Sequence, residues 1–107
     1  MNILNERAVQ KWIGLAHVRP LPGNTVLGTS AGAYVAAVGL ADNADTFAQL
    51  VNATLYEYKF QVVEVEDIEL FEKRSAKYKV DPEVTSMVEL LNTENPCVLA
   101  TFHAYNQ

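Results

Sequence analysis

The chain has 107 residues, with 8 Lys plus Arg against 13 Asp plus Glu and a formal net charge of -5. That length makes one domain, residues 1–107, able to bury about two-thirds of its unfolded surface, which is enough for a core without metal or disulfide staples. A composition that is 50% apolar excludes a disordered chain, and the acidic balance excludes non-specific binding to nucleic acid or to anionic membranes.

Residues 1–7 (MNILNER) lack the basic start and continuous apolar core of a secretory signal, and no stretch is long enough to span a bilayer. With Cys97 as the single cysteine, no intrachain disulfide forms, so a reducing, cytoplasmic location is expected. Residues 11–18 (KWIGLAHV) are rich in β-forming types and predict a first strand, which Pro20, Pro22 and Gly23 terminate. Residues 33–41 (AYVAAVGLA) permit a helix through their alanines but favour a strand through their valines, tyrosine and Gly39. A strand apolar on both faces is central.

Asn43 is a candidate N-cap, and Phe47, Leu50, Val51, Leu55 and Tyr58 recur at helical spacing, which predicts a first amphipathic helix. Residues 60–70 (FQVVEVEDIEL) alternate valine with glutamate as a half-wet strand does, and the alternation slips at Glu66-Asp67, where a bulge or the strand end is expected. Residues 71–80, which carry Lys73, Arg74, Lys77 and Lys79, read as a loop or a short exposed edge strand. Asp81-Pro82 caps a second helix with Val84, Met87, Val88 and Leu91 on its apolar side. Residues 97–105 (CVLATFHAY) form a last strand.

This order predicts an α+β two-layer sandwich of ferredoxin-like type. If residues 71–80 pair as a strand, the chain from the second strand onward is βαββαβ, with an extra N-terminal strand completing a mostly antiparallel sheet of four to five strands. Right-handed crossovers would place both helices on one face and leave the other bare. On the first strand, Ile13, Leu15, His17 and Arg19 alternate with the small set Trp12, Gly14, Ala16 and Val18. On the last, Leu99, Thr101, His103 and Tyr105 alternate with Val98, Ala100, Phe102 and Ala104. The mixed sets are expected to share the bare face, where a contiguous apolar patch marks a cleft or a subunit interface. His17, Arg19, His103 and Tyr105 are the candidate ligand-binding residues.

Three local patterns compete with that reading. Gly28-Thr29-Ser30-Ala31-Gly32-Ala33 fits G-x-S-x-G and resembles the nucleophile motif of patatin-like phospholipases, in which the serine sits on a tight strand-to-helix turn and an aspartate completes a dyad. The resemblance covers six residues and implies Ser30 alone as nucleophile. The family's glycine-rich oxyanion segment is missing upstream, and no Asp-Gly pair follows. Gly23-x-x-x-x-Gly28-Thr29-Ser30 has phosphate-loop glycine spacing, but Thr29 stands where the lysine belongs. Glu64, Glu66, Asp67 and Glu69 form a carboxylate run without the spacing of a calcium loop. It reads as a solvated strand edge, a weak cation site or a surface for a basic partner.

The expected function is therefore a non-enzymatic, oligomeric binding or interaction module, most simply a homodimer, that uses its bare sheet face for a small molecule or a partner chain. The alternatives are an immunity- or antitoxin-type inhibitor that meets a basic partner through residues 64–72, and a small serine hydrolase using Ser30. No metal site, cofactor, nucleic-acid partner or membrane partner is expected.

Overall fold

The computed structural model describes residues 9–106, so the N-terminal segment 1–7 read above lies outside the described residues. The elements are β1 (Gln10–Pro20), β2 (Gly32–Ala41), α1 (Ala44–Glu57), β3 (Phe60–Leu70), α2 (Phe71–Lys77), α3 (Pro82–Glu89), β4 (Cys97–Leu99) and β5 (His103–Tyr105). All neighbouring strands are antiparallel, in the order β3-β1-β2-β4, with β5 continuing along the same side of β2 beyond β4. No helix among the described residues is long and apolar enough to cross a membrane.

Local chemistry places most of these elements where the sequence predicts them. The Asn43 side chain accepts a hydrogen bond from the Thr46 N–H at 2.8 Å, and Phe47, Val51 and Leu55 form the buried stripe of α1. Asp81 accepts from the Glu83 N–H at 2.8 Å with Pro82 in the first turn of α3, and Val84, Met87 and Val88 are buried. The slip in β3 is a bulge: Ile13 pairs with Glu69 and Leu15 with Glu66, so Asp67 and Ile68 together oppose Gly14, and Asp67 takes the left-handed conformation at φ 55°.

Three expectations are corrected. Residues 71–77 form a helix, α2, instead of a loop or edge strand, so the βαββαβ order does not arise. This helix has no buried residue, hence no apolar periodicity to reveal it. Contacts outside it hold it in place: Arg74 Nε donates to a Glu69 carboxylate oxygen, and Arg74 Nη2 donates to the Asp67 carbonyl at 3.0 Å. The last strand is also broken between β4 and β5. Ala100 N–H still donates to the Ala36 carbonyl, but the Thr101 N–H and hydroxyl both turn to the Glu83 carboxylate of α3, at 3.1 and 2.8 Å.

The third correction concerns the layers. α1 packs on Ala16, Val18, Ala33, Val35 and Ala37, whereas α3 packs on Ile13 and Val38. Successive strand residues point to opposite faces, so the helices lie on opposite sides and the domain has three layers, α1, sheet, then α2 with α3. The handedness rule applies to crossovers between parallel strands. β3 runs antiparallel to β4, so nothing directs their connection to the face that α1 already fills. That connection also begins and ends at one end of the sheet, because Leu70 pairs with Trp12, Trp12 with Gly39, and Gly39 with Cys97. α2 and α3 accordingly cover only that end of the second face.

α1 sits close to the sheet because two glycines admit Phe47. A Cβ on Gly14 or on Gly39 would stand 3.0 Å from the Phe47 ring, which is fully buried. Gly39→Ala is expected to destabilise the fold by about 1–3 kcal/mol through overpacking, read as a lower urea midpoint at unchanged slope; an unchanged midpoint would mean α1 recedes without cost.

Candidate binding site on the uncovered half of the sheet

On the second face the strand register sets out cross-strand rows. Glu69, Ile13, Val38 and Val98 form the row beneath α3, and Glu66, Leu15 and Ala36 form the next. Beyond the helices lies Glu64–His17–Tyr34–His103, one residue from each of β3, β1, β2 and β5. The sheet ends with Arg19 opposite Gln61 and Tyr105 opposite Gly32. His17, Arg19, His103 and Tyr105 thus share one face. Leu99, expected beside them, packs instead against the α1 cluster, because the break at 100–102 changes the phase of the alternation between β4 and β5.

His17 and His103 do not meet. β2 separates their strands, so Tyr34 stands between them, and the histidines are about 10 Å apart at two strand spacings. Tyr34 is the residue that sequence reasoning missed. It is the single large aromatic in an alanine-rich strand read as apolar on both sides. Its ring stacks on His17, with centroids 4.6 Å apart and an interplanar angle of 14°. Tyr105 tilts against both rings, at 5.6 Å from His17 and 5.9 Å from Tyr34, and its hydroxyl is hydrogen-bonded to His17 Nε2 at 2.5 Å. Which group donates depends on the imidazole tautomer.

Gly32 makes this cluster possible. A Cβ there would run into the Tyr105 hydroxyl and stand 2.7 Å from the Val18 carbonyl oxygen, so only glycine lets Tyr105 lean across β2 to His17. His17 and Tyr105 are half-buried, Tyr34 keeps 39% of its surface exposed, and His103 and Arg19 are exposed. The result is a fixed aromatic platform with one side in water. Among the described residues, no group of three or more His, Cys, Asp or Glu side chains is placed to hold a metal ion.

The carboxylate run divides between two environments. Glu69 is held by Arg74 and by Lys77, the latter at 3.4 Å, and the hydrogen bond from Arg74 keeps its carboxyl below the usual carboxylate range despite some desolvation. Glu64 and Glu66 form no ion pair or side-chain hydrogen bond among the described residues and stand beside His17 and Leu15. The acidic run and the histidine face therefore adjoin. A groove of about 660 Å³ between the sheet and the α2–α3 connection, lined by Ile13, Ala36, Ile68, Arg74, Tyr78 and Val80, continues from the uncovered half.

Ser30 sits in a different setting. Its N–H donates to the Leu27 carbonyl at 3.0 Å, Ala31 N–H donates to the Tyr105 carbonyl at 2.9 Å, and the chain then enters β2. A strand follows the serine where a nucleophile elbow requires a helix. The glycines of the motif have other roles, a left-handed turn at Gly28 (φ 61°) and clearance for Tyr105 at Gly32. The preceding loop is pinned by Asn24. Its Oδ1 accepts from Val26 and Leu27 N–H, while its Nδ2 donates to the Tyr58 and Lys59 carbonyls at 3.0 and 2.9 Å. Cys97 is half-buried, and burial pushes its thiol pKa up against an opposing hydrogen bond with Thr54.

Tyr105→Phe is expected to cost about 0.5–1.5 kcal/mol by removing the bond to His17, and Gly32→Ala about 1–3 kcal/mol by displacing the ring, with the His17 ring resonances shifting in both; an unperturbed His17 in Gly32→Ala would refute the clearance role. The Glu69 pairing predicts an acid dependence. A depressed folded-state pKa contributes stability that is complete above the unfolded carboxylate pKa and is lost as pH falls through the folded value, so Glu69→Gln should flatten the acid limb of stability below about pH 5. Urea unfolding at a series of pH values measures it, and an identical limb in the variant would refute the pairing. The chain matches no family model and shows no significant similarity to a curated protein or to a solved structure, so the functional reading rests on the site itself.

Proposed function

We propose that this protein is a non-enzymatic binding module that holds a small molecule or an extended segment of a partner chain on the uncovered half of its second sheet face. Tyr34, His17 and Tyr105 provide the platform, with Arg19 and His103 at its margins. The observation that carries this reading is the preorganised ring cluster: three strands and a glycine fix the rings before anything binds, yet Tyr34 stays exposed. Rigid aromatic surface binds at small entropic cost because no side chain needs to be ordered.

Its size favours a small occupant over a symmetric dimer. Three strand spacings by four residues along β1 give a patch of about 14 by 13 Å, roughly 180 Å², whereas a stable interface buries about 800 Å² per partner. With Ile13 and Val38 already covered by α3, a homodimer through this face would need surface beyond the sheet.

The test is a two-dimensional NMR titration with a panel of aromatic, amine and carboxylate fragments. Shifts should concentrate at His17, Tyr34, His103 and Tyr105 and vanish in Tyr34→Ala, which should keep its unfolding free energy, read by urea, within about 1.5 kcal/mol of the parent. Shifts confined to other surfaces would overturn the reading, as would fluorophosphonate labelling of the parent chain that is lost in Ser30→Ala.

A further inference from the structure

We propose that residues 72–79 are a hinged flap over the covered end of the second face, closed by a polar latch through Arg74, which opens while the rest of the domain stays folded. Helix α2 forms most of this segment, and little holds it down. Seven residues are too few for a helix that is stable on its own, and Leu70 at the N-cap position gives no side-chain cap. Between the half-buried Phe71 and Val80, Arg74 is the single residue that is not exposed. Phe71 and Val80 pack against the α3 cluster and serve as the two hinges. Hollows lie on both flanks of the segment: the groove of about 660 Å³ beneath the α2–α3 connection, and a second of about 450 Å³ lined by Leu70, Phe71, Ser75 and Val88. α2 leans on β1 and β3 while α3 leans on β2 and β4, so α2 can lift without carrying α3 along.

Closure therefore depends on polar contacts. Arg74 Nε donates to a Glu69 carboxylate oxygen, Arg74 Nη2 donates to the Asp67 carbonyl at 3.0 Å, and Lys77 adds its charge to Glu69 at 3.4 Å. The bulge supplies the Asp67 carbonyl, because Asp67 and Ile68 together oppose Gly14 and the ladder is interrupted there. Segments that bury few apolar contacts, and whose remaining contacts reach water, open locally at a fraction of the cost of global unfolding. Tyr78, Lys79 and Val80 line the groove on the flap side, and Ala36 lines it on the sheet side, two residues from Tyr34 on the same face of β2. Lifting the flap removes the outer wall of that groove. The open half of the sheet then extends toward Ile13, whatever occupies the aromatic platform.

Amide hydrogen exchange of the intact chain, followed by NMR over a urea series below the unfolding transition, tests the flap. The amides of residues 75–78 should exchange at rates nearly independent of urea, whereas those of Val35 and Val51 should be slower by at least roughly tenfold and accelerate steeply with urea, since they open only on global unfolding. In Arg74→Gln the amides of residues 75–78 should exchange roughly tenfold faster than in the parent. Raising sodium chloride to about 0.5 M should accelerate them in the parent and leave the variant unchanged. Access to the groove is read by thiol labelling of Ala36→Cys in a Cys97→Ala background, which should quicken roughly tenfold when Arg74→Gln is added. A common urea dependence for residues 75–78 and Val35 overturns the flap, because α2 then opens only with the whole domain. Exchange that neither Arg74→Gln nor salt alters overturns the latch, and labelling that Arg74→Gln does not alter overturns the gating of the groove.

Discussion

The end of β3 and the start of β4 lie in one row across the sheet, Leu70–Trp12–Gly39–Cys97, and the rest of the architecture depends on that placement. A chain that must leave and rejoin a sheet at the same end needs only a short path, and α2 with α3 provides it over that end. α1 occupies the first face along with the small residues of β1 and β2, so the second connection takes the opposite face. A three-layer domain that covers one and a half faces is the consequence. The uncovered half exists because of chain geometry, and the side chains there face water.

What stands on that half is well defined for a surface. Aromatic side chains at a wet sheet end commonly lie along the backbone in several rotamers. Here Tyr105 crosses β2 at Gly32, where no side chain stands in its way, meets His17 through a hydrogen bond, and traps the imidazole against Tyr34. Such a cluster loses little freedom when a ligand arrives. Beside it, the carboxylates of β3 separate into Glu69, neutralised within the chain, and the exposed Glu64 with the half-buried Glu66, which have no ion pair among the described residues. The same residues protect the outer edge of β3 against pairing with another chain, because edge charges and the bulge at Asp67 interrupt a continuous template.

The link between α3 and the sheet break shows how covered and uncovered halves are joined. Glu83, in the first turn of α3, accepts both the Thr101 N–H and hydroxyl at the point where β4 gives way to β5. The break turns Leu99 and Phe102 toward α1 while His103 and Tyr105 face the open side. Without that change of phase, a continuous strand with Leu99 on the α1 face would also have turned His103 and Tyr105 toward α1. The site is therefore built partly by a helix that does not touch its rings.

Local chemistry in the sequence was sufficient for much of the fold. Asn43 and Asp81 announce their helices because a cap acts within three residues, and the valine–glutamate alternation with its slip at Glu66-Asp67 announces β3 and its bulge because side-chain phase along a strand is also local. The same alternation grouped His17 with Arg19 and His103 with Tyr105. Other features had no local signal. α2 buries nothing and depends on Glu69 and Asp67 outside it, the break at 100–102 depends on Glu83, eighteen residues earlier, and the opposite placement of α1 and α3 depends on which strands become antiparallel neighbours. The role of Tyr34 depends on His17 across one strand pair and on Gly32 giving way to Tyr105 across another. Sequence alone thus determined the elements and the residues each strand carries to a common side, since these follow from neighbours in the chain. Tertiary structure decided which side stays in water and how the rings of three strands meet there, since both are set by contacts between residues far apart in sequence.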